Sequence, residues 1–182
     1  MSERSVRKMA IRSLSPLIVA SALSASAVAH GAPSDMRQVA DRMSIEDTIT
    51  TLFIKTDEKD WAAVQSVFAP KVAFDMSSLS GAPPATLSPP EITAIWEKGL
   101  KPIQAIHHQA GNFRFNIQGD SAEAHCYGIA FHYRPNSTDH NTRTFVGSYD
   151  FHLVRLGGSW KIDSFRYNSQ FVDGNLQLDT VK

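Results

Sequence analysis

Apolar residues recur at helical spacing in the first half of the chain and at strand spacing in the second. Ile45, Ile49, Leu52 and Phe53 fall on one face of a helix. Ser44 followed by Asp47 has the form of a capping box and predicts that this helix opens at residue 44. The preceding "GAPSDM" (31–36) reads as a short linker. One turn beyond Phe53 the stripe reaches Asp57, so a carboxylate stands near the inner face where the helix ends. Asp60 caps a second, short helix with Trp61, Val64, Val67 and Phe68 on its apolar side. "KVAFDM" (71–76) reads as a short strand and "SGAPPATLSPP" (80–90) as a loop. Ser88 and Glu91, with Pro89 between them, open a third helix that presents Ile92, Ile95 and Trp96.

From residue 105 the period changes to two. Phe113, Phe115 and Ile117 alternate with Arg114 and Asn116. "QGD" (118–120) predicts a hairpin turn and 121–133 the return strand. After the loop "RPNSTDHN" (134–141), residues 143–155 alternate through Phe145, Gly147, Tyr149, Phe151 and Leu153. "GG" (157–158) is a tight hairpin signal, and Trp160 to Phe171 form the last strand. Helices followed by long hairpin-linked strands predict an α+β fold, with the helices covering one face of a curved sheet. His108 has the opposite parity to Phe113, Phe115 and Ile117, so a regular strand would send them to opposite faces. A bulge at Ala110-Gly111 would turn them to the same side.

Composition changes this picture mainly at the N-terminus. Arg4, Arg7, Lys8 and Arg12 precede the apolar, small-residue run "LSPLIVASALSASAVA" (14–29). This is the layout of a secretory signal over residues 1–29, cleaved after Ala29, and it predicts a periplasmic or secreted protein. Residues 30–43 then form a linker and the start of the first helix, 44–175 one domain, and 176–182 a tail. Residues 1–29 hold four of the 18 basic and one of the 18 acidic residues. The remainder carries 14 basic against 17 acidic, which gives no reason to expect nucleic acid or an anionic membrane surface as a partner. Cys126 is the only cysteine, so no intramolecular disulfide can form. Six scattered histidines (107, 108, 125, 132, 140 and 152) lack metal-site spacing, and no metal or cofactor is expected.

Four segments carry a resemblance. "TDEKDWAAVQSVFAPKVAFDM" (56–76), "HHQAGNFRF" (107–115), "AHCYGIAFHY" (124–133) and "GGSWKIDSFRY" (157–167) are similar, in order and spacing, to segments of scytalone dehydratase and its bacterial SnoaL-like relatives. These belong to the nuclear transport factor 2-like superfamily, and the resemblance covers about residues 40–175. It implies a cone: a strongly curved mixed β-sheet wrapped by N-terminal helices around a pocket. It also implies that an aspartate orients a histidine acting as general base or acid, while a second histidine assists loss of water. Those positions match Asp57, His108 and His132. The related hexachlorocyclohexane dehydrochlorinase takes a proton with the same dyad. The dehydratase tyrosines that hold a water on the substrate carbonyl are Thr56 and Met76 here, and its penultimate-strand asparagine falls near Tyr149.

The residues themselves leave alternatives open. Asp57 suits a solvated helix end, and His108 a core imidazole bonded to a carbonyl. His132, beside Tyr133-Arg134-Pro135, suits a strand end, and His107 points to the surface. The expected pocket wall is Phe53, Thr56, Met76, Trp96, Tyr149 and Asn168, with Arg166 near the mouth. Three functions fit. The first is a cofactor-free lyase or isomerase for a small hydrophobic cyclic or aromatic substrate. The second is an exported, non-catalytic binder of such a ligand. The third is a homo-oligomer assembled through the sheet face.

Overall fold

The structure, a computed structural model, describes residues 33–138 and 140–180. The expected signal (1–29) and the last two residues of the expected tail lie outside the described residues. In chain order the elements are α1 (Pro33–Asp57), α2 (Trp61–Ser66), β1 (Phe68–Asp75), α3 (Ser77–Ser80), β2 (Ala85–Leu87), α4 (Pro89–Leu100), β3 (Ala105–Gln118), β4 (Ser121–Tyr133), β5 (Thr142–Leu156) and β6 (Ser159–Gly174). The six strands form one mixed, curved, unclosed sheet in the order β2-β1-β6-β5-β4-β3. Only β1 and β6 run parallel; the other neighbours are antiparallel.

The predicted stripe of α1 is the core face: Ile45, Ile49, Leu52 and Phe53 are buried against Phe151, Leu153, Trp160 and Ile162 of the sheet. The helix nevertheless starts at Pro33 and not at Ser44, so residues 33–36, read as linker, are already helix. Ser44 sits mid-helix, where its carbonyl accepts from Thr48 Oγ1 at 2.8 Å. Apolar periodicity misses this extension because Met36, Val39 and Met43 are exposed. The extension is tied down by charge instead: buried Asp41 accepts from Arg155 Nη2 at 2.5 Å. The predicted loop 80–90 also contains β2, whose Ala85–Leu87 pairs with the β1 edge at Val72–Phe74. The capping pattern at Ser88 is real: Glu91 accepts from the Ser88 N–H at 2.7 Å. After β6 the chain turns back and buries Leu178 against Ile103 and Ile106, so the described part of the expected tail is docked there.

Two local irregularities position the site. α1 ends in a Schellman turn, with Asp60 N donating to Lys55 O at 2.9 Å and Lys59 N to Thr56 O at 3.0 Å. Lys59 takes the left-handed position usually given to glycine (φ 57°) and is anchored by its Nζ on Ile103 O at 2.6 Å. Asp57 is thus held in the last turn of a fixed helix end. In β3 one extra residue separates Gly111, opposite Tyr127, from Arg114, opposite His125. The bulge centres on Asn112, at φ 58°, next to the Gly111 where the sequence suggests it. Before it Ile106 and His108 face inward; after it Phe113, Phe115 and Ile117 do.

Candidate active site

A cavity of about 750 Å³ lies between the helices and the concave face of the sheet. His108 stands in its wall, held from behind by Asp57. Asp57 Oδ2 accepts the backbone N–H of His108 at 2.9 Å, and Oδ1 lies 2.5 Å from its ring Nδ1. A carboxylate so placed accepts a hydrogen bond from Nδ1–H, the tautomer that leaves Nε2 with its lone pair. Phe53 stacks on the imidazole, with ring centroids 5.4 Å apart. His108 lines the cavity, and both side chains are largely shielded from water, at 14% and 18% exposure.

His132 lines the same cavity from β4. His108 pairs with Ala130, so His132 is one inward position further along the neighbouring strand, with a Cβ spacing of about 7–8 Å. Burial, reinforced by the Arg143 guanidinium and by His108, lowers its pKa to about 4. It is therefore neutral near neutral pH, and its Nδ1 is buried without a partner. Tyr149 and Tyr167 add two hydroxyls; burial raises both of their pKa values, so both stay protonated. Their rings lie over glycines of the adjacent strand. A Cβ on Gly128 would strike the Tyr149 ring, and one on Gly147 would come within 2.8 Å of the Tyr167 ring.

Phe53, Thr56, Met76, Trp96 and Tyr149 all line the cavity. The Thr56 hydroxyl is engaged within its own helix, donating to Leu52 O at 2.8 Å. Asn168 does not line it. Phe165 and Tyr167 take the inward positions of β6, so strand alternation sends Arg166 and Asn168 to the outer face. There Asn168 Nδ2 donates to Asp150 Oδ2 at 2.7 Å and Arg166 Nε to Asp75 Oδ2 at 3.0 Å. Asp150 also accepts from His125; burial would raise its pKa, but the bonds from His125 and Asn168 lower it overall. Among the described residues no three His, Cys, Asp or Glu side chains converge as a metal site. Cys126 is buried on the inner face, where burial and then Asp150 push its thiol up to about 12, so it stays an unreactive thiol.

The model of the SnoaL-like domain matches residues 37–166. The chain belongs to the SnoaL-like family. Solved structures share its nuclear transport factor 2-like fold. The Kfla4162 protein from Kribbella flavida is 23% identical, covers 78% of this chain and 98% of its own, and superposes with a TM-score of 0.74. A protein from Novosphingobium aromaticivorans assigned as a scytalone dehydratase is 15% identical over 78% of this chain and 91% of its own, with a TM-score of 0.66. A hexachlorocyclohexane dehydrochlorinase from Novosphingobium barchaimii is 14% identical over 81% and 99%, with a TM-score of 0.65. No curated protein matches the sequence significantly.

Within this SnoaL-like domain, sequence reasoning passed over Arg143, Phe145, Phe165 and Tyr167 as cavity residues. Alternation already places Phe145 on the same side as Tyr149 and was a usable signal for it. Arg143 follows a loop at the start of β5 and carries no pattern of its own.

Proposed function

We propose that this SnoaL-like domain is a cofactor-free lyase or isomerase that moves a proton on a small, largely apolar cyclic or aromatic substrate. The reading is carried by one observation: Asp57 grips both the backbone N–H and the ring Nδ1 of His108, which lines a half-open, mostly apolar cavity. For a dehydration, His108 Nε2 takes a proton from a carbon next to a carbonyl. The electron pair left behind forms the new carbon–carbon double bond as the β-carbon–oxygen bond breaks. The departing hydroxide leaves as water with the proton of the His108 imidazolium, which restores the neutral base. Asp57 stays ionised throughout and stabilises the transient imidazolium.

His132 has a different part from the one the family resemblance suggests. With a pKa near 4 it is not a cationic acid at neutral pH. A neutral ring donates a hydrogen bond to the substrate oxygen, and the leaving-group proton comes from His108. Thr56 and Met76 offer no free hydroxyl against a carbonyl, a fact that favours the binding-only reading. Tyr149, Tyr167 and Arg143 supply polar groups from the sheet side instead, which keeps the enzyme reading ahead. The pattern of residues 1–29 supports an exported enzyme.

The test is a screen of small cyclic β-hydroxy ketones for loss of water, followed by His108→Ala and Asp57→Asn on any substrate found. Each variant should lose about 10²–10⁴-fold in kcat with the fold intact. Turnover by His108→Ala at the wild-type rate overturns the proposal.

A further inference from the structure

Three polar atoms of the cavity residues are buried without a hydrogen-bond partner: His132 Nδ1, Arg143 Nε and Tyr167 Oη; the first two stand on neighbouring strands. His132 and Arg143 are directly paired across β4 and β5, so their side chains leave the same face of the sheet. The rest of Arg143 is well held. Its Nη1 donates to Asp179 Oδ1 at 2.9 Å and to Leu176 O at 3.2 Å, and its Cζ lies 5.1 Å over the Phe145 ring. The guanidinium is therefore fixed in place with Nε unused. Native structures rarely leave a buried N–H without an acceptor, and never cheaply beside a charge. No other Lys or Arg lines this cavity among the described residues.

The charge balance has a direction. The Arg143 side chain is 13% exposed, whereas its counter-ion Asp179 is 42% exposed and screened by water. Asp179 itself stands at the cavity's lining, on the Nη1 side of Arg143, and its greater exposure to water weakens its hold on the buried cation. Beside it His132, held neutral, can donate but adds no competing charge. A planar carboxylate matches the open side of a guanidinium, and a single cation is the right complement for a single negative charge.

We propose that His132 and Arg143 form the anion subsite of the cavity, and that the ligand is a small cyclic or aromatic carboxylic acid. Its carboxylate accepts from the Arg143 guanidinium and the His132 ring, and its apolar body lies towards Phe53 and Trp96. The inference rests on the reading of the cavity as the substrate site and names the substrate class for it.

The experiment is calorimetric titration of the full chain at pH 7.5 with cyclohexanecarboxylate and with its neutral isostere, cyclohexanecarboxamide. Wild type should bind the carboxylate at least tenfold more tightly. Arg143→Met should lose that preference, and Arg143→Lys should keep part of it. Equal affinities in wild type overturn the proposal, and so does a preference that survives in Arg143→Met. The wild-type comparison decides the matter even where a variant fails to fold. The readout is binding, so it separates the two proposals. A carboxylate preference without turnover of any acid leaves this subsite standing and sinks the enzyme reading. Turnover that needs His108 on neutral substrates alone, with no carboxylate preference, does the reverse.

Discussion

His132 shows how one side chain records a compromise. A buried imidazole beside Arg143 resists protonation, so its folded pKa of about 4 lies below the ordinary 6.5. The unfolded chain therefore binds more protons than the folded one between those values. Stability from this group is fully present above pH 6.5 and is lost as the pH falls towards 4, an effect of about 3 kcal/mol. His132→Phe should remove that part of the acid limb. Urea unfolding at pH 7.5 and pH 4.5 should show a smaller loss in the variant than in wild type; equal losses would contradict the assignment. Residue chemistry of this kind is only half visible in a sequence. Asp57 is legible because helical periodicity, read one turn past Phe53, puts it near the inner face; His108 needed the suggested bulge at Ala110-Gly111 and the family resemblance. The state of His132 depends on Arg143, which is adjacent only once β4 and β5 pair. Asn168 was misplaced for a related reason: its face is set by the strand partners of Phe165 and Tyr167.

At the scale of elements, the site depends on departures from regularity. The bulge at Asn112 lets His108 and the Phe113-Phe115 pair share one concave face, and the parity of His108 together with Gly111 suggested it one residue away, at Ala110-Gly111. The glycines under the tyrosines left no such trace. Gly128 and Gly147 look like ordinary strand residues, yet each makes room for the ring of Tyr149 or Tyr167 on the neighbouring strand. Gly128→Ala should therefore push the Tyr149 ring into the cavity. The expected cost is about 1–3 kcal/mol in thermal unfolding, with a changed near-ultraviolet circular dichroism spectrum from the displaced ring. An unchanged spectrum and stability would show that the ring has room to spare.

Across the whole molecule, the order of helices and hairpins was sufficient to predict the α+β class and the long antiparallel run, because each element declares its period locally. The length of α1 was not, because what docks its first turns is a long-range ion pair. Arg155 lies 4.4 Å over the Trp160 ring and reaches both Asp41 of α1 and Asp120 of the β3–β4 turn. It joins the helix layer to the far end of the sheet. Arg155→Met keeps the apolar stem and leaves the buried Asp41 carboxylate short of its closest partner. The variant should lose about 2 kcal/mol of stability, with protection from hydrogen exchange falling first in residues 33–44. Loss of protection spread evenly over the sheet would contradict this picture of Arg155 as the tie on α1.

The account turns on the proton of His108. Long-range nitrogen–proton correlation spectra of the wild-type chain at pH 7.5, assigned with His108→Gln, report the state of both ring nitrogens directly. The Asp57 grip predicts a protonated Nδ1 and an unprotonated Nε2, the form that can take a proton from a substrate. A ring carrying its proton on Nε2, or on both nitrogens at this pH, would mean that His108 has no lone pair to offer the cavity, and would contradict the proposed chemistry.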